Sequence, residues 1–112
     1  MRKFDYRAPR FLVDLPVRLT FADSTQIGLC TEISTEGMTI ERRTPLSQDS
    51  LGAVYFDYQS MTLELPVRVA HTGPTSDGVS FMYQSDEQRD ELRRLVALLA
   101  AARHRSGPSL PR

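Results

Sequence analysis

The sequence predicts a mainly β fold: six short antiparallel strands forming a small barrel or sandwich, closed or capped by one C-terminal amphipathic helix. Three observations lead there. Apolar residues alternate with polar ones over short runs between residues 13 and 83, the period of a half-buried strand. Turn-forming pairs such as Gly73-Pro74 and Asp77-Gly78 separate those runs, and the period changes to a helical one only after Ser85.

Residues 1–10 are charged and broken by Pro9, with Arg2, Lys3, Arg7 and Arg10 around Phe4 and Tyr6. They read as a flexible basic arm with no regular element. The first strand sets Val13, Leu15, Val17, Leu19 and Phe21 against Asp14, Pro16, Arg18 and Thr20. Pro16 lacks a ladder donor, which points to an edge or a bulge. Ala22 to Thr25 turns the chain into the second strand. There the alternation puts Ile27, Leu29, Thr31 and Ile33 on the core side and Gly28, Cys30, Glu32 and Ser34 on the other, so that Glu32 and Ser34 stand together facing away from the core. Gly37 follows as a fixed turn, the residue type suited to positive φ.

A short third strand from Met38 to Arg42 turns Met38 and Ile40 inward. After a polar loop through Ser50, the fourth strand carries Val54, Phe56 and Tyr58 on one face, and Gln59-Ser60 makes a tight turn into the fifth. That strand alternates Met61, Leu63, Leu65, Val67 and Val69 against Thr62, Glu64, Pro66, Arg68 and Ala70. Its Glu64-Leu-Pro-Val-Arg-Val69 echoes Asp14-Leu-Pro-Val-Arg-Leu19; two outer strands under the same steric demands explain this more simply than a duplication. Residues 73–78 read as a loop before a sixth strand with Val79, Phe81 and Tyr83 inward. Ser85 and Gln88 have capping-box spacing, and Asp86 and Glu87 suit the positive end of a helix dipole. Leu92, Leu95, Val96, Leu99 and Ala102 then fall on one helical stripe that Leu98 widens, and Asp90 stands four residues before Arg94 as a supporting pair. The tail from Ser106 ends the helix and reads as disordered. The expected organisation is therefore an arm over 1–10, one domain over 11–104 and a tail over 105–112.

A chain of 112 residues supports one core. Its 40% hydrophobic and 25% charged residues are those of a globular protein. The formal net charge is zero, which argues against a nucleic-acid partner, because basic surface supplies most of that affinity. No apolar run reaches membrane-spanning length and the N-terminus lacks a signal-peptide core, so a cytoplasmic location and no membrane partner are expected. The single cysteine, Cys30, forms no internal disulfide and reads as a half-buried filler. His71 and His104 lack partners at ligand or catalytic spacing, so neither metal nor nucleophile chemistry is supported. Arg42-Arg43 reads as flanking a turn, with extension of a phosphate site as the alternative.

Taken in order, the arginine-containing arm, Val13-Asp-Leu-Pro-Val-Arg18, the turn Glu32-x-Ser34-x-x-Gly37, Gly78-Val-x-Phe81 and the final helix resemble a PilZ domain over residues 6–102. The resemblance implies a six-stranded antiparallel PilZ-type barrel with a C-terminal α-helix, no catalytic activity, no resident cofactor, and cyclic di-GMP as a regulatory ligand. In that family an R-x-x-x-R pair in the arm and an Asp/Asn-x-Ser-x-x-Gly turn hold the ligand together. Guanidinium forks match phosphate oxygens and stack on guanine, while a carboxylate or amide accepts from the guanine edge. Carried onto this chain, the ligand-binding set is Tyr6, Arg7, Arg10, Glu32, Ser34 and Gly37.

The chain departs from the pattern at two positions. The register that fits the following strand puts the second arginine at Arg10, and Tyr6 stands four residues earlier; a Lys3–Arg7 register restores two cations farther from the strand. Glu32 replaces the family's Asp or Asn and carries its carboxylate one methylene farther out. Loss of one charge-assisted hydrogen bond, about 1.5–3 kcal/mol, weakens binding by roughly tenfold to a hundredfold. A Tyr6 ring stacked on a base recovers part of that, about 1–3 kcal/mol, but not the phosphate charge. The expectation is a stand-alone, non-enzymatic signalling adaptor in bacterial cyclic di-GMP-related regulation of motility, attachment or exopolysaccharide, with ligand binding weak or lost. Its partner is an unidentified protein, and the broad apolar surface around Leu98 points to a partner or a homodimer through the helix. The alternatives are a genuine cyclic di-GMP receptor whose arm closes on the ligand, and a small-barrel nucleic-acid-binding module.

Overall fold

A computed structural model describes residues 9–22 and 24–106. The elements are β1 (Phe11–Phe21), β2 (Ser24–Ile33), β3 (Gly37–Glu41), β4 (Leu51–Tyr58), β5 (Met61–Thr72), β6 (Ser76–Phe81) and α1 (Asp86–Ser106). All six strands pair antiparallel and close into a barrel in the order β1-β2-β3-β6-β5-β4. Closure removes the free edges that an open sheet would present to solvent. Of the expected arm and tail, residues 1–8 and 107–112 lie outside the described residues.

Alternation selects the core. Leu15, Val17, Leu19 and Phe21 of β1, Met38 and Ile40 of β3, Val54 and Phe56 of β4, and Leu63, Leu65, Val67 and Val69 of β5 are all buried. Pro16 adjoins a register irregularity between Leu12 and Leu15, and the β1–β4 ladder starts only at Arg18, so its missing donor costs no bond there. The helix α1 packs on β1 and β5 and buries Leu92, Leu95, Val96 and Leu99, leaving Leu98 exposed.

The helix start follows the capping signal with one shift. Ser85 Oγ accepts from the Gln88 amide at 3.1 Å, while the Gln88 side chain accepts from the Gln84 amide at 2.8 Å. Asp90 pairs with Arg93, three residues on, rather than with Arg94. Both spacings place two side chains on neighbouring turns, so the local geometry decides between them.

Three expectations need correction. In β2 the inward residues are Gly28 and Cys30, both buried, while Ile27 is 66% exposed. A bulge between Cys30 and Glu32, against Ile40 and Thr39 of β3, inserts Thr31 and resets the phase. Ile33 therefore returns to the core, and Glu32 faces outward. Cys30 is fully rather than half buried. Second, β6 starts at Ser76, so Asp77-Gly78 lies inside a strand and not in the preceding loop. Third, Arg42 does not simply flank a turn. Its side chain is 1% exposed and that of Asp77 0%, joined at 2.7 Å (Nε to Oδ2) and 2.9 Å (Nη2 to Oδ1). Arg42 Nη2 also donates to the Gly73 carbonyl, and Asp77 accepts from the Leu46 amide. This cluster ties the loop after β3 to the β5–β6 connection.

Candidate functional site

The turn between β2 and β3 is built by its own side chain. Ser34 Oγ accepts from the backbone amides of Glu36 (3.0 Å) and Gly37 (3.3 Å), and the Ser34 amide donates to the Gly37 carbonyl. A short hydroxyl in reach of its own backbone favours such a turn. Two outside contacts clamp it: the Phe81 amide donates to the Glu36 carbonyl and the Tyr83 hydroxyl to the Thr35 carbonyl, at 2.9 and 2.6 Å. Burial pushes the Tyr83 phenol up to about 12, against the opposing pull of the Arg89 guanidinium lying 4.6 Å from its ring centre.

Two sequence expectations about this turn change. Ser34 does not face away from the core; it is 6% exposed, because its oxygen is turned back onto the loop. Gly37 does not have positive φ. The space around it is what requires glycine: a Cβ there would collide with the Val79 carbonyl oxygen of β6, so the residue permits close approach of two backbones.

On the outer face of the sheet next to this turn lies a groove of about 170 Å³. The strand registers explain its shape. Glu32 pairs with Thr39, Thr39 with Gly78, and Gly78 with His71, so these residues form one row across β2, β3, β6 and β5. Gly37 opposite Ser80 lies in the next row. Glycine in both rows leaves a depression, and a bulge on each side of it, before Glu32 and before His71, sets the two wall residues outward. Arg10 and Glu32 form one wall, with Arg10 Nη1 3.0 Å from Glu32 Oε1. Thr39 Oγ1 stands 3.5 Å from the same oxygen.

The groove thus joins four of the six residues singled out in the sequence: Arg10, Glu32, Ser34 and Gly37. Tyr6 and Arg7 lie outside the described residues. Sequence reading missed Thr39, His71 and Ser80, which also line it. Register alone would have placed them, and register is what the unseen bulges altered. Beneath the groove, burial pushes the Cys30 thiol up to about 12; it donates to the Glu32 carbonyl at 3.2 Å. Among the described residues no three His, Cys, Asp or Glu side chains converge as a metal site.

The PilZ domain family model matches residues 5–98. This chain belongs to the PilZ domain family. The closed six-stranded barrel with its C-terminal helix is the fold that the chain shares with solved PilZ structures. The PilZ domain of CeSA from a cellulose-synthesizing bacterium superposes with a TM-score of 0.74 at 20% identity, covering 83% of this chain and 99% of that one. An uncharacterized Legionella protein gives a TM-score of 0.64 at 14% identity over 85% and 97%. The K. pneumonia MrkH–c-di-GMP complex gives 0.74 at 16% over 90% of this chain and 55% of that one. No curated protein matches the sequence. PilZ domains are non-enzymatic domains of cyclic di-GMP-related signalling, and this chain is one of them. No helix among the described residues is long and apolar enough to cross a membrane.

Proposed function

We propose that this PilZ domain is a cytoplasmic signalling adaptor in bacterial cyclic di-GMP-related regulation of motility, attachment or exopolysaccharide, acting through protein contacts and binding cyclic di-GMP weakly or not at all. The observation that carries the reading is the Arg10–Glu32 ion pair. Glu32 Oε1 occupies Nη1 of the Arg10 guanidinium, so an incoming phosphate competes there with an internal anion. The pair is 46% and 34% exposed, and such a pair is worth about 0.2–1 kcal/mol. Displacement therefore costs up to about fivefold in affinity, and it adds to the phosphate contact that the sequence lacks, with Tyr6 at the position of the family's other arginine. A partner protein has exposed apolar surface available at Leu98 on α1 and Met82 before it. The same helix is the proposed surface for a second copy.

The receptor reading is kept for one reason: Arg10, Glu32, Ser34 and Gly37 share one groove. Calorimetric titration with cyclic di-GMP separates the two. The adaptor reading expects little or no heat at protein concentrations suited to micromolar affinity. A micromolar or tighter isotherm that Arg10→Ala abolishes would establish the receptor instead.

A further inference from the structure

The echo between Asp14-Leu-Pro-Val-Arg-Leu19 and Glu64-Leu-Pro-Val-Arg-Val69 has no part in the groove. Strand pairing gives it a place. β4 lies between β1 and β5 and runs antiparallel to both. The two echoes therefore run in the same direction on its two sides, with their leucines and valines buried and their charged residues outward. Arg18 pairs with Tyr55, and Tyr55 with Glu64, so that the outer face carries a cation and a carboxylate on either side of one tyrosine. The Arg18 guanidinium lies 4.3 Å from the Tyr55 ring centre. Among the described residues neither Arg18 nor Glu64 has an ion-pair or hydrogen-bond partner, whereas Arg68 is paired with Asp49. The same face exposes apolar side chains. Leu51 on β4 and Ile27, the β2 neighbour of Arg18, are each 66% exposed. Met82 is exposed on the side of β5 away from β4, where its amide donates to the Pro66 carbonyl.

We infer that a second copy of this chain covers this face, the two β4 strands packing together about a two-fold axis that lies between the faces and parallel to them. The contact is separate from the one proposed on α1 and does not use Leu98. A closed barrel offers no free edge to another strand, so two copies meet face to face. The axis turns the row over: Arg18 comes opposite the partner's Glu64 and Glu64 opposite the partner's Arg18. Leu51 and Tyr55 stand on the axis and meet their own counterparts, and Ile27 comes opposite the partner's Met82. A two-fold contact demands this self-complementarity; an unrelated partner does not. The barrel surface curves away on both sides of β4, and the side chains standing there, Arg18, Glu64, Ile27 and Met82, are long enough to close the gap.

Sedimentation of the full chain at concentrations rising to millimolar tests the inference. The wild type is expected to pass from monomer to dimer. Arg18→Glu and Glu64→Arg each set like charges opposite one another twice per dimer, and each should weaken association by about tenfold or more. An equimolar mixture of the two variants restores both opposite-charge pairs and should dimerise as the wild type does, a rescue that no folding defect gives. Leu51→Lys brings two cations together on the axis and should dissociate the dimer without touching either pair. A wild type that stays monomeric throughout overturns the inference. So does a dimer that both charge reversals and Leu51→Lys leave intact, or one that Leu98→Glu alone abolishes, which would seat the second copy on α1.

Discussion

Two arginine–carboxylate pairs, Arg42–Asp77 and Arg10–Glu32, have the same chemistry and opposite uses. The first is buried at 1% and 0% exposure, bidentate, and wrapped by further bonds from Arg42 to Gly73 and from Leu46 to Asp77. The second is half open and rests on one 3.0 Å contact. In the interior, two charges are tolerable only when geometry and hydrogen bonding satisfy both. On the surface, water and salt screen the attraction and the groups stay available to something else. The fold is thus locked at one arginine and left negotiable at the other, and the negotiable one borders the groove.

The strongest challenge to this contrast is to remove one partner of the buried pair. Asp77→Ala is expected to cost about 3–5 kcal/mol in urea unfolding, because Arg42 is left charged and unpaired inside. Arg42→Met with Asp77→Leu should recover much of that loss. A cost below 1 kcal/mol for Asp77→Ala, on the order of the surface pair, would erase the distinction.

Cys30 sharpens the contrast from beneath the groove. Its folded-state thiol is raised from 9.0 to about 12, chiefly by burial. Below pH 9.0 the thiol is protonated in folded and unfolded chains alike, so nothing is lost. Above that the unfolded chain releases its proton first, and stability falls until the folded thiol also ionises near pH 12. Unfolding measured up the alkaline range should therefore fall less steeply in Cys30→Ala than in wild type. Tyr83, raised from 10.0 to about 12, adds a fall of its own in both proteins, so parallel curves would mean that Cys30 is not the source.

At the exposed pair the effect is smallest. Glu32→Gln should change stability by less than about 1 kcal/mol at ordinary salt. A larger loss, insensitive to salt, would make Glu32 a structural residue.

Much of this architecture can be read from alternation. β1, β3, β4 and β5 keep an uninterrupted two-residue period through their buried stretches, and the stripe Leu92, Leu95, Val96, Leu99 fixes the buried face of α1. The second strand could not be read in the same way. One inserted residue, Thr31, flips the phase within the strand, and an apolar Ile27 on the outside looks like core to any count of periods. Glu32 does face outward, but the bulge is what turns it there. Asp77-Gly78 resembles a turn because both residue types favour turns; the buried charge of Arg42 holds Asp77 inside a strand, and no local pattern announces a partner 35 residues away. The site was half legible for the same reason. Arg10, Glu32, Ser34 and Gly37 belong to short motifs, whereas His71, Thr39 and Ser80 reach the groove only through long-range register.

The proposed adaptor role holds that cyclic di-GMP binding is weakened by two departures from the family motif, Tyr6 in the sequence and Glu32 beside the groove. Calorimetric titration of the Tyr6→Arg/Glu32→Asp variant with cyclic di-GMP, beside the wild type, tests it most directly. One restored phosphate contact and a shorter carboxylate should raise affinity by about tenfold to a hundredfold. An unchanged isotherm in the double variant would contradict the claim, since Tyr6 would then not occupy the arginine position and Glu32 would not restrain Arg10.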